Sequence, residues 1–343
     1  MKITSKEIAE IANVSRSTVS RVINNYPNVP EQTRQKVERV IQEYGYMPNT
    51  SARTLAGKHN NIISLFIADI KDYENENSNW NGVNSPYFLT LIAETIKASK
   101  KMGYMVLVNI ITDKAEYEEI EHMFLNRTIF GGIFVGFKYQ TKEIKSLIKK
   151  EYNMVFVDQI RGKRLNKNIK TVNSKNIEGA YNATKYLIEN GHKHIAHISG
   201  DDRLSSIDRK QGYIKAINDF NVENKYLYEG LYNEEIAYDK TKEILKNKDI
   251  SAIFVANDIM AQGSIRAIRD EKLNIPDDIS IIGFDNLKIK NYFDIELTTM
   301  DISIKNIAQN AVKLIIEDNK YKNIECEAKL IEGNSVKKGY NFT

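Results

Sequence analysis

The chain has 343 residues, 42% of them hydrophobic, which is enough to bury a large core and predicts two or three domains. The single cysteine, Cys326, excludes an internal disulfide framework, and no metal site can rest on that residue alone. The net charge of +4 is modest, so its distribution along the chain is more informative than its size.

The excess positive charge is concentrated at the N-terminal end. Residues 1–58 contain nine Lys and Arg against five Asp and Glu, whereas the rest of the chain contains 40 of each sign. A small basic end favours a polyanionic partner. Lys6, Glu7 and Glu10 lie where a secretory signal would need an apolar run, and no later segment reaches the length of a membrane span. These features predict a cytoplasmic protein.

Residues 1–46 show three short helical patterns, over Thr4–Ala12, Ser15–Ile23 and Glu31–Tyr44. Thr4 and Glu7 have the spacing of a capping box, and Ser15 can cap the second helix. Only "ANV" separates the first two helices, and Asn13 tolerates the left-handed conformation that so sharp a turn needs. The pattern predicts a helix-turn-helix domain over residues 1–46.

Residues 47–59 contain a short segment with helix signals at both ends, "PNTSARTLAGK". Asn49 can cap its start and Gly57 can close its end. Seven or eight residues fall well short of the roughly 12 to 15 that form a stable helix alone in water. This segment therefore needs a partner in order to fold.

Beyond residue 60, short apolar runs alternate with amphipathic helical patterns. The runs are "IISLFIA", "YMVLVNI", "GGIFVGF", "NMVFVD", "HIAHIS", "SAIFVAND" and "SIIGFDN". Such alternation is typical of parallel sheets covered by helices on both faces. The expected fold class is α/β, with two doubly wound lobes and a cleft at the carboxyl ends of their strands. We expect the core to span residues 60–343, with lobe 1 at about 60–165 and 302–328 and lobe 2 at about 168–300 and 329–343.

Residues 71–84, "KDYENENSNWNGVN", form the one irregular polar region of the core. One interpretation is a surface loop. The other is a lid over the cleft, because the segment follows a strand and contains the only tryptophan, Trp80. The sequence leaves both open.

Several short motifs occur in a specific order along the chain. Residues 3–58 contain "VSRSTVSRVIN", "TRQKV", "YGYMPN" and "ARTLAGK", whose order and spacing resemble the DNA-binding end of the lactose-repressor (LacI/GalR) family of bacterial transcription regulators. The body contains "GHKHIAHISG", "DRKQGY", "VANDIMAQG", "IIGFDN" and "LTTMDI", similar to the family's periplasmic-binding-protein-like core. The resemblance spans nearly the whole chain.

The resemblance implies that two copies bind a palindromic DNA operator and that the segment at 47–59 is a hinge helix folding over the minor groove. Ala52 and Ala56 are small enough for two such helices to touch, and Leu55 is the apolar wedge at the central base step. Arg16 and Ser17 occupy the first turn of the second helix, where Arg16 can read a guanine, and Arg21 can contact a base or a phosphate. The predicted DNA-contacting set is Thr4, Ser15, Arg16, Ser17, Thr18, Arg21, Asn24, Asn49, Ala52, Arg53, Leu55 and Ala56.

The resemblance also implies an effector site in the cleft. The matching positions are Asp158, Arg209, Asn257 and Asp285, and we add Tyr87, Phe88, Tyr232 and Trp80 as candidate ligand contacts. Carboxylates and a guanidinium can bridge neighbouring hydroxyls, which suits a sugar. Ile302 replaces a polar, glutamine-like residue of the family, so a purine or another metabolite stays open as the effector.

Other classes of function fit less well. A sugar-binding transport protein would share the two lobes but needs a secretion signal and no helix-turn-helix, and an enzyme such as a sugar kinase would need a phosphate loop that is absent from the sequence. We expect no enzymatic activity and no cofactor. The histidines of "GHKHIAHISG" should point to opposite strand faces, so we expect no metal site. The end "NSVKKGYNFT" is too short for a tetramerising heptad tail, which favours a homodimer.

Overall fold

The computed structural model describes residues 3–23, 26–46, 60–69, 85–138, 141–160, 169–223, 225–288, 295–317 and 323–339. The chain divides into two compact units, Met1–Asn60 and Asn61–Thr343. The predicted hinge segment, Asn24 and the whole polar region at residues 71–84 lie outside the described residues.

The first unit contains three helices, α1 (Ser5–Ile11), α2 (Arg16–Ile23) and α3 (Glu31–Glu43). The predicted capping box is confirmed, since Thr4 accepts from the Glu7 backbone N–H while the Glu7 carboxylate accepts from the Thr4 backbone N–H. Asn13 has the expected positive φ of 48° in the turn. The three helices enclose one small core of Ile8, Ala9, Ala12, Val19, Val22, Val29, Val37 and Val40.

The second unit contains twelve described strands, most of them in two parallel sheets. A six-stranded sheet has the order β11-β5-β4-β3-β1-β2, and a four-stranded sheet has the order β7-β6-β8-β9. A two-stranded antiparallel ribbon, β10-β12, completes the set. The strands are β1 (Ile62–Ala68), β2 (Met105–Ile111), β3 (Gly131–Val135), β4 (Met154–Val157), β5 (Lys170–Ser174), β6 (Ile195–Ser199), β7 (Tyr226–Glu229), β8 (Ala252–Val255), β9 (Ser280–Ile282), β10 (Thr299–Asp301), β11 (Asn323–Cys326) and β12 (Lys329–Ile331).

Amphipathic helices connect the strands of both sheets. They are α4 (Pro86–Lys101), α5 (Glu116–Leu125), α6 (Lys142–Lys149), α7 (Asn176–Glu189), α8 (Leu204–Asp219), α9 (Glu234–Ile244), α10 (Asp258–Asp270) and α11 (Ile304–Ile316). Strands β1, β3, β4, β6 and β8 are almost wholly buried, as expected for sheets covered on both faces, whereas the predicted apolar run at β2 is largely exposed because it forms an edge of its sheet. Among the described helices, none combines the length and apolar character that crossing a membrane requires.

The predicted start of lobe 2 at about residue 168 is wrong. β5 pairs in parallel with β4, with Val155 opposite Lys170, and with β11 on its other side. It therefore belongs to the sheet of lobe 1, and the chain passes to lobe 2 only after Ser174. The sequence of β5, KTVNS, contains only one aliphatic residue and therefore gives no apolar run from which its sheet could be predicted.

Two glycines set how closely the helices of lobe 2 pack. A Cβ added to Gly212 in α8 would lie 2.3 Å from the carbonyl oxygen of Ile177 in α7. A Cβ added to Gly263 in α10 would lie 2.0 Å from the carbonyl oxygen of Glu234 in α9. Both obstacles are backbone atoms, which cannot rotate away as a side chain can. Gly212 thus fixes the position of α8.

We expect Gly212→Ala to lower the thermal midpoint of the core. Alanine in a helix interior normally stabilises by about 0.5 to 1 kcal/mol relative to glycine, but overpacking costs about 1 to 3 kcal/mol. Thermal unfolding followed by circular dichroism measures whether the midpoint rises or falls. The control is Gln211→Ala, on the exposed face of the same helix. A midpoint raised by Gly212→Ala would contradict the close packing.

Candidate functional site

A cavity of about 100 Å³ lies between the two lobes, which is room for several water molecules or one small ligand. Lobe 1 contributes the start of α4 and the residues that follow β3 and β4. Lobe 2 contributes the start of α8 and the loops that follow β7, β8 and β9. Of the predicted effector residues, the structure brings together seven in this lining: Tyr87, Phe88, Asp158, Arg209, Tyr232, Asn257 and Asp285.

Arg209 is the most completely held of these side chains. Its Nε donates to Asn176 Oδ1 at 2.9 Å, its Nη1 donates to the carbonyl oxygen of Ala256, and its Nη2 lies 3.1 Å from Asp285 Oδ1. The guanidinium carbon lies 3.9 Å from the centre of the Phe284 ring. Arg209 and Asp285 are each only 5% exposed, so their ion pair is shielded from water. These contacts hold the Arg209 guanidinium and the Asp285 carboxylate in defined orientations in the cavity wall.

Asp158 is oriented by lobe 1 and by the start of α7. Its carboxylate accepts hydrogen bonds from the Ser174 backbone N–H, the Ser174 hydroxyl at 2.9 Å and the Asn176 amide at 3.3 Å. Burial raises the pKa of Asp158, and the hydrogen bonds from Ser174 oppose this effect. Asn176 therefore touches both Asp158 and Arg209, the two charged groups that face the cavity from different lobes.

Asp258 is a second buried carboxylate close to Asp285. Asp258 Oδ1 accepts from the Thr299 hydroxyl at 2.7 Å, and its Oδ2 accepts from the Leu287 backbone N–H at 2.7 Å. Burial, followed by the charge of Asp285, raises the pKa of Asp258 to about 8. Burial raises the pKa of Asp285 to about 6, and the nearby Arg209 limits that rise. These groups link the cavity wall to the β10-β12 ribbon.

Three of the lining residues have left-handed backbone conformations, with φ of 52° at Asp158, 56° at Tyr232 and 108° at Asp285. Such conformations cost of order 1 to 3 kcal/mol for residues other than glycine and persist only where surrounding contacts hold them. At Asp285 the backbone N–H donates to the Met300 carbonyl oxygen at 2.8 Å. Strain of this kind clusters at ligand-binding sites.

Aromatic rings form two further walls of the cavity. Tyr87 and Phe88 meet edge to face, with ring centroids 5.2 Å apart. Across the cavity, the Tyr232 hydroxyl lies 3.0 Å from the Ser205 hydroxyl. A Cβ added to Gly200 would lie 2.4 Å from the Tyr232 ring, so only glycine leaves room for that ring in its observed place.

The sequence analysis missed several lining residues, among them Gln159, Arg203 and Ser205. Gln159 directly follows Asp158, and Arg203 and Ser205 follow β6. The rule that ligands bind at the carboxyl ends of parallel strands would have found them if it had been applied to every strand. Ile302 is fully buried in the core and does not line the cavity, and Trp80 lies outside the described residues.

The first unit exposes one polar face of α2. Val19 and Val22 are buried, whereas Arg16, Ser17 and Arg21 are exposed. The Arg16 Nε donates to the Ser5 hydroxyl at 3.1 Å, which ties this arginine to α1. Ser15 accepts from the Thr18 backbone N–H at 3.0 Å and so caps the start of α2, as predicted.

The histidines near β6 have separate environments. His192 lies 2.8 Å from the Ser251 hydroxyl, and burial lowers its pKa to about 4. His197 stacks on Phe254 with centroids 4.6 Å apart, and burial lowers its pKa to about 3. Within the described ranges, no group of three or more His, Cys, Asp or Glu side chains is arranged to hold a metal ion.

Known proteins are similar to this chain over nearly its whole length. Residues 4–49 match the model of a family described as bacterial regulatory proteins, lacI family, and residues 184–336 match a periplasmic binding protein-like domain. The HTH-type transcriptional repressor PurR of Mannheimia succiniciproducens is 30% identical over 345 residues, covering 98% of this chain and 99% of that protein. The HTH-type transcriptional regulator MalR of Clostridium butyricum is 32% identical over 343 residues, covering 96% of this chain and 98% of that protein. The lac repressor dimer bound to operator and the anti-inducer ONPF has a similar fold, with a TM-score of 0.81 at 23% identity over 98% of this chain and 99% of that one.

We expect Asp258→Asn to flatten the pH dependence of the core's stability. A carboxyl whose pKa is raised on folding stabilises the fold fully below its unfolded pKa of about 3.9. This contribution is lost as the pH rises towards 8, the approximate folded value. Asparagine keeps the shape of the protonated acid but does not titrate. Thermal midpoints at pH 5, 6, 7 and 8 should therefore fall less in the variant, whereas the exposed control Asp249→Asn should follow the wild type. Parallel curves for Asp258→Asn and wild type would contradict the raised pKa.

Proposed function

The chain belongs to the lacI family of bacterial regulatory proteins and is a DNA-binding transcriptional regulator, and we propose that it is a dimeric repressor whose operator binding is controlled by a small molecule in the interlobe cavity. The observation that carries the DNA-binding part is the exposed polar face of α2, with Arg16, Ser17 and Arg21 on a helix anchored by Val19 and Val22. A helix presented in this way can enter the major groove and read base edges. Such a role places the protein in the cytoplasm, with the bacterial chromosome.

The cavity supports a small polar effector. Asp158, Arg209, Asn257 and Asp285 present oriented charged and amide groups from both lobes, and Tyr87 and Phe88 offer aromatic faces. Ligand hydroxyls can bridge such carboxylates, and a site built to hydrogen-bond them discriminates against ligands that lack them. The effector class that fits this chemistry is a sugar or sugar derivative.

A purine is the second candidate. Tyr87 and Phe88 lie together at the start of α4, where an aromatic ring could stack on a base. A panel of sugars and purines tested by thermal shift would distinguish the two, since a ligand that binds the folded state raises its midpoint.

The surface of lobe 1 supports dimerisation. β2 is the edge strand of the six-stranded sheet, and it exposes Met105, Leu107 and Ile110 at 64%, 39% and 42%. The neighbouring α4 exposes Leu89 and Ile96 at 54% and 43%. Apolar side chains grouped on an edge strand and an adjacent helix mark a protein interface. The partner we propose for this surface is a second copy of the chain.

The segment at residues 47–59 completes the proposed DNA contact. Ala52 and Ala56 are the residues through which two hinge helices would touch, and Leu55 is the wedge between base pairs of the minor groove. Asn49 at the start of this proposed helix and Arg53 within it add further DNA contacts, and Thr4, Thr18 and Asn24 extend the contacts of the helix-turn-helix. The support for the hinge assignments is the motif "ARTLAGK", which follows the residues 4–49 that match the lacI family model.

Selection of duplexes from a random-sequence library should enrich an inverted repeat, because a dimer presents two copies of α2.

Leu55→Ala should then weaken binding to the selected duplex strongly and leave salt-sensitive binding to unrelated DNA nearly unchanged, since binding to unrelated DNA needs no kink. Fluorescence anisotropy at two salt concentrations measures both. Enrichment of a single asymmetric site, or equal operator affinity for both proteins, would contradict the proposal.

A second prediction concerns the coupling of the two units. Arg209→Ala and Asp285→Asn should leave operator affinity without effector close to wild type, because both residues lie in the second compact unit. An effector shifts DNA binding only through contacts that differ between conformational states, so losing these contacts removes its influence. The measurement is operator affinity with and without the ligand found in the thermal-shift panel.

The matched control is Arg266→Ala. Arg266 also pairs with carboxylates in lobe 2, Glu234 and Glu235, but on the surface and away from the cavity lining. This variant should respond to effector as the wild type does. A full response in Arg209→Ala with normal melting would show that Arg209 does not bind the effector.

A further inference from the structure

The cationic side chains of the cavity are already paired with carboxylates. Arg209 pairs with Asp285. Arg203 is gripped by Asp201, whose oxygens lie 3.0 and 2.8 Å from its Nε and 2.6 Å from its Nη2. Arg203 and Asp201 are only 17% and 22% exposed, so little water competes for this pair. Every positive charge in the described part of the lining is thus neutralised within the protein.

Lys138 lies close by and is also paired. It follows Phe137, which lines the cavity, and its Nζ lies 3.0 Å from Asp202 Oδ2. This ion pair joins the loop after β3 of lobe 1 to the loop after β6 of lobe 2. The adjacent Asp201 and Asp202 therefore neutralise two different cations, Arg203 in the cavity wall and Lys138 outside it.

The lining also contains a hydrogen-bond acceptor, Gln159 Oε1, to which no described residue donates. Gln159 is 8% exposed and lines the cavity, and its Nε2 donates to the Phe134 carbonyl oxygen at 3.2 Å. Its Oε1 is buried without a hydrogen-bond partner in the part of the chain that the structure describes. A buried acceptor without a donor costs about 1 to 3 kcal/mol. A donor from the ligand would remove this cost.

The carboxylates around the cavity are also acceptors that a ligand's hydrogen-bond donors could contact. Asp158 accepts from Ser174 and Asn176 and forms no ion pair with a cation among the described residues. With Asp158, Asp201 and Asp285 against Arg203 and Arg209, the described charged residues around the cavity carry a net negative charge. Among these residues an anionic ligand would meet no cation that lacks a carboxylate partner, so its loss of hydration in a buried site would not be compensated. A hydroxylated ligand without charge meets acceptors instead.

We propose that the cavity selects an uncharged, hydroxyl-bearing ligand of the neutral sugar type and rejects the corresponding carboxylate and phosphate derivatives, with Asp201 as the specificity-determining residue. This inference rests on the proposed function, in which the cavity binds the effector. Asp201 sets the specificity through Arg203, because the Asp201 carboxylate pairs with the Arg203 guanidinium, which would otherwise be available to bind an anionic ligand. Gln159 accepts from a ligand hydroxyl.

The test is a binding comparison on the full-length protein with matched ligand sets. Isothermal titration calorimetry is run with neutral mono- and disaccharides and with the uronates and 6-phosphates of the same hexoses. We expect one or more neutral sugars to bind and their anionic counterparts to bind at least about tenfold more weakly. Preference of the wild type for a uronate or a sugar phosphate would overturn the proposal.

Asp201→Asn should then change the selectivity. Asparagine can still accept from the Arg203 backbone N–H, as Asp201 does at 3.0 Å, but no longer neutralises the guanidinium. The anionic counterpart should gain about tenfold in affinity from a charge-assisted contact with Arg203. The control is Asp202→Asn, which changes the net charge equally at the next residue but leaves Arg203 paired. An equal gain in both variants, or no gain in Asp201→Asn with an unchanged melting curve, would overturn the role of Asp201.

The operator assay separates this inference from the proposed function. If no sugar of either kind binds while the selected duplex is still bound, the ligand class is wrong and the DNA-binding regulator stands. If the duplex is not bound but a neutral sugar is, the ligand class stands and the regulatory proposal fails. Both measurements use the same purified protein.

Discussion

The cavity depends on one buried guanidinium. Arg209 contacts Asn176 at the start of α7, the carbonyl oxygen that follows β8 and the carboxylate that follows β9, and it stacks on Phe284. A buried charge is tolerable only when its donors are satisfied, so these partners and the arginine fix one another's positions. Gly212, three residues along the same helix, lets α8 approach α7 closely enough for the contact with Asn176.

Further buried charged groups near Arg209 also need partners. Two carboxylates, Asp285 and Asp258, connect Arg209 to the β10-β12 ribbon. Asp285 pairs with Arg209, and the nearby charge of Asp285 helps to raise the pKa of Asp258. Asp258 in turn holds the backbone of Leu287 and the hydroxyl of Thr299 on β10. A change in the charge or contacts of Asp285 would therefore alter the hydrogen bonds of Asp258 to the β10-β12 ribbon. The chain crosses between the lobes at this ribbon.

The two compact units have different physical characters. The first is held by a small aliphatic core and presents basic and hydroxyl side chains on α2. The second is held by buried parallel sheets and concentrates its polar groups at the strand ends around one cavity. This division separates base recognition, which needs an exposed polar helix face, from ligand recognition, which needs shielding from water.

The sequence by itself determined the features that depend on local signals. The three helices of the first unit, the Thr4 cap, the turn at Asn13 and the parallel strands follow from caps, spacing and apolar runs, and the structure agrees with each. Seven of the predicted effector positions lie in one cavity because each follows a strand of a parallel sheet, directly or at the start of the next helix, and ligands bind at that end of such sheets. Only the tertiary structure decided that β5 belongs to lobe 1, that Asp201 pairs with Arg203, and that Gln159 Oε1 has no hydrogen-bond partner among the described residues. Strand pairing and charge pairing join residues from separate elements, and their partners are chosen by packing that no local pattern encodes.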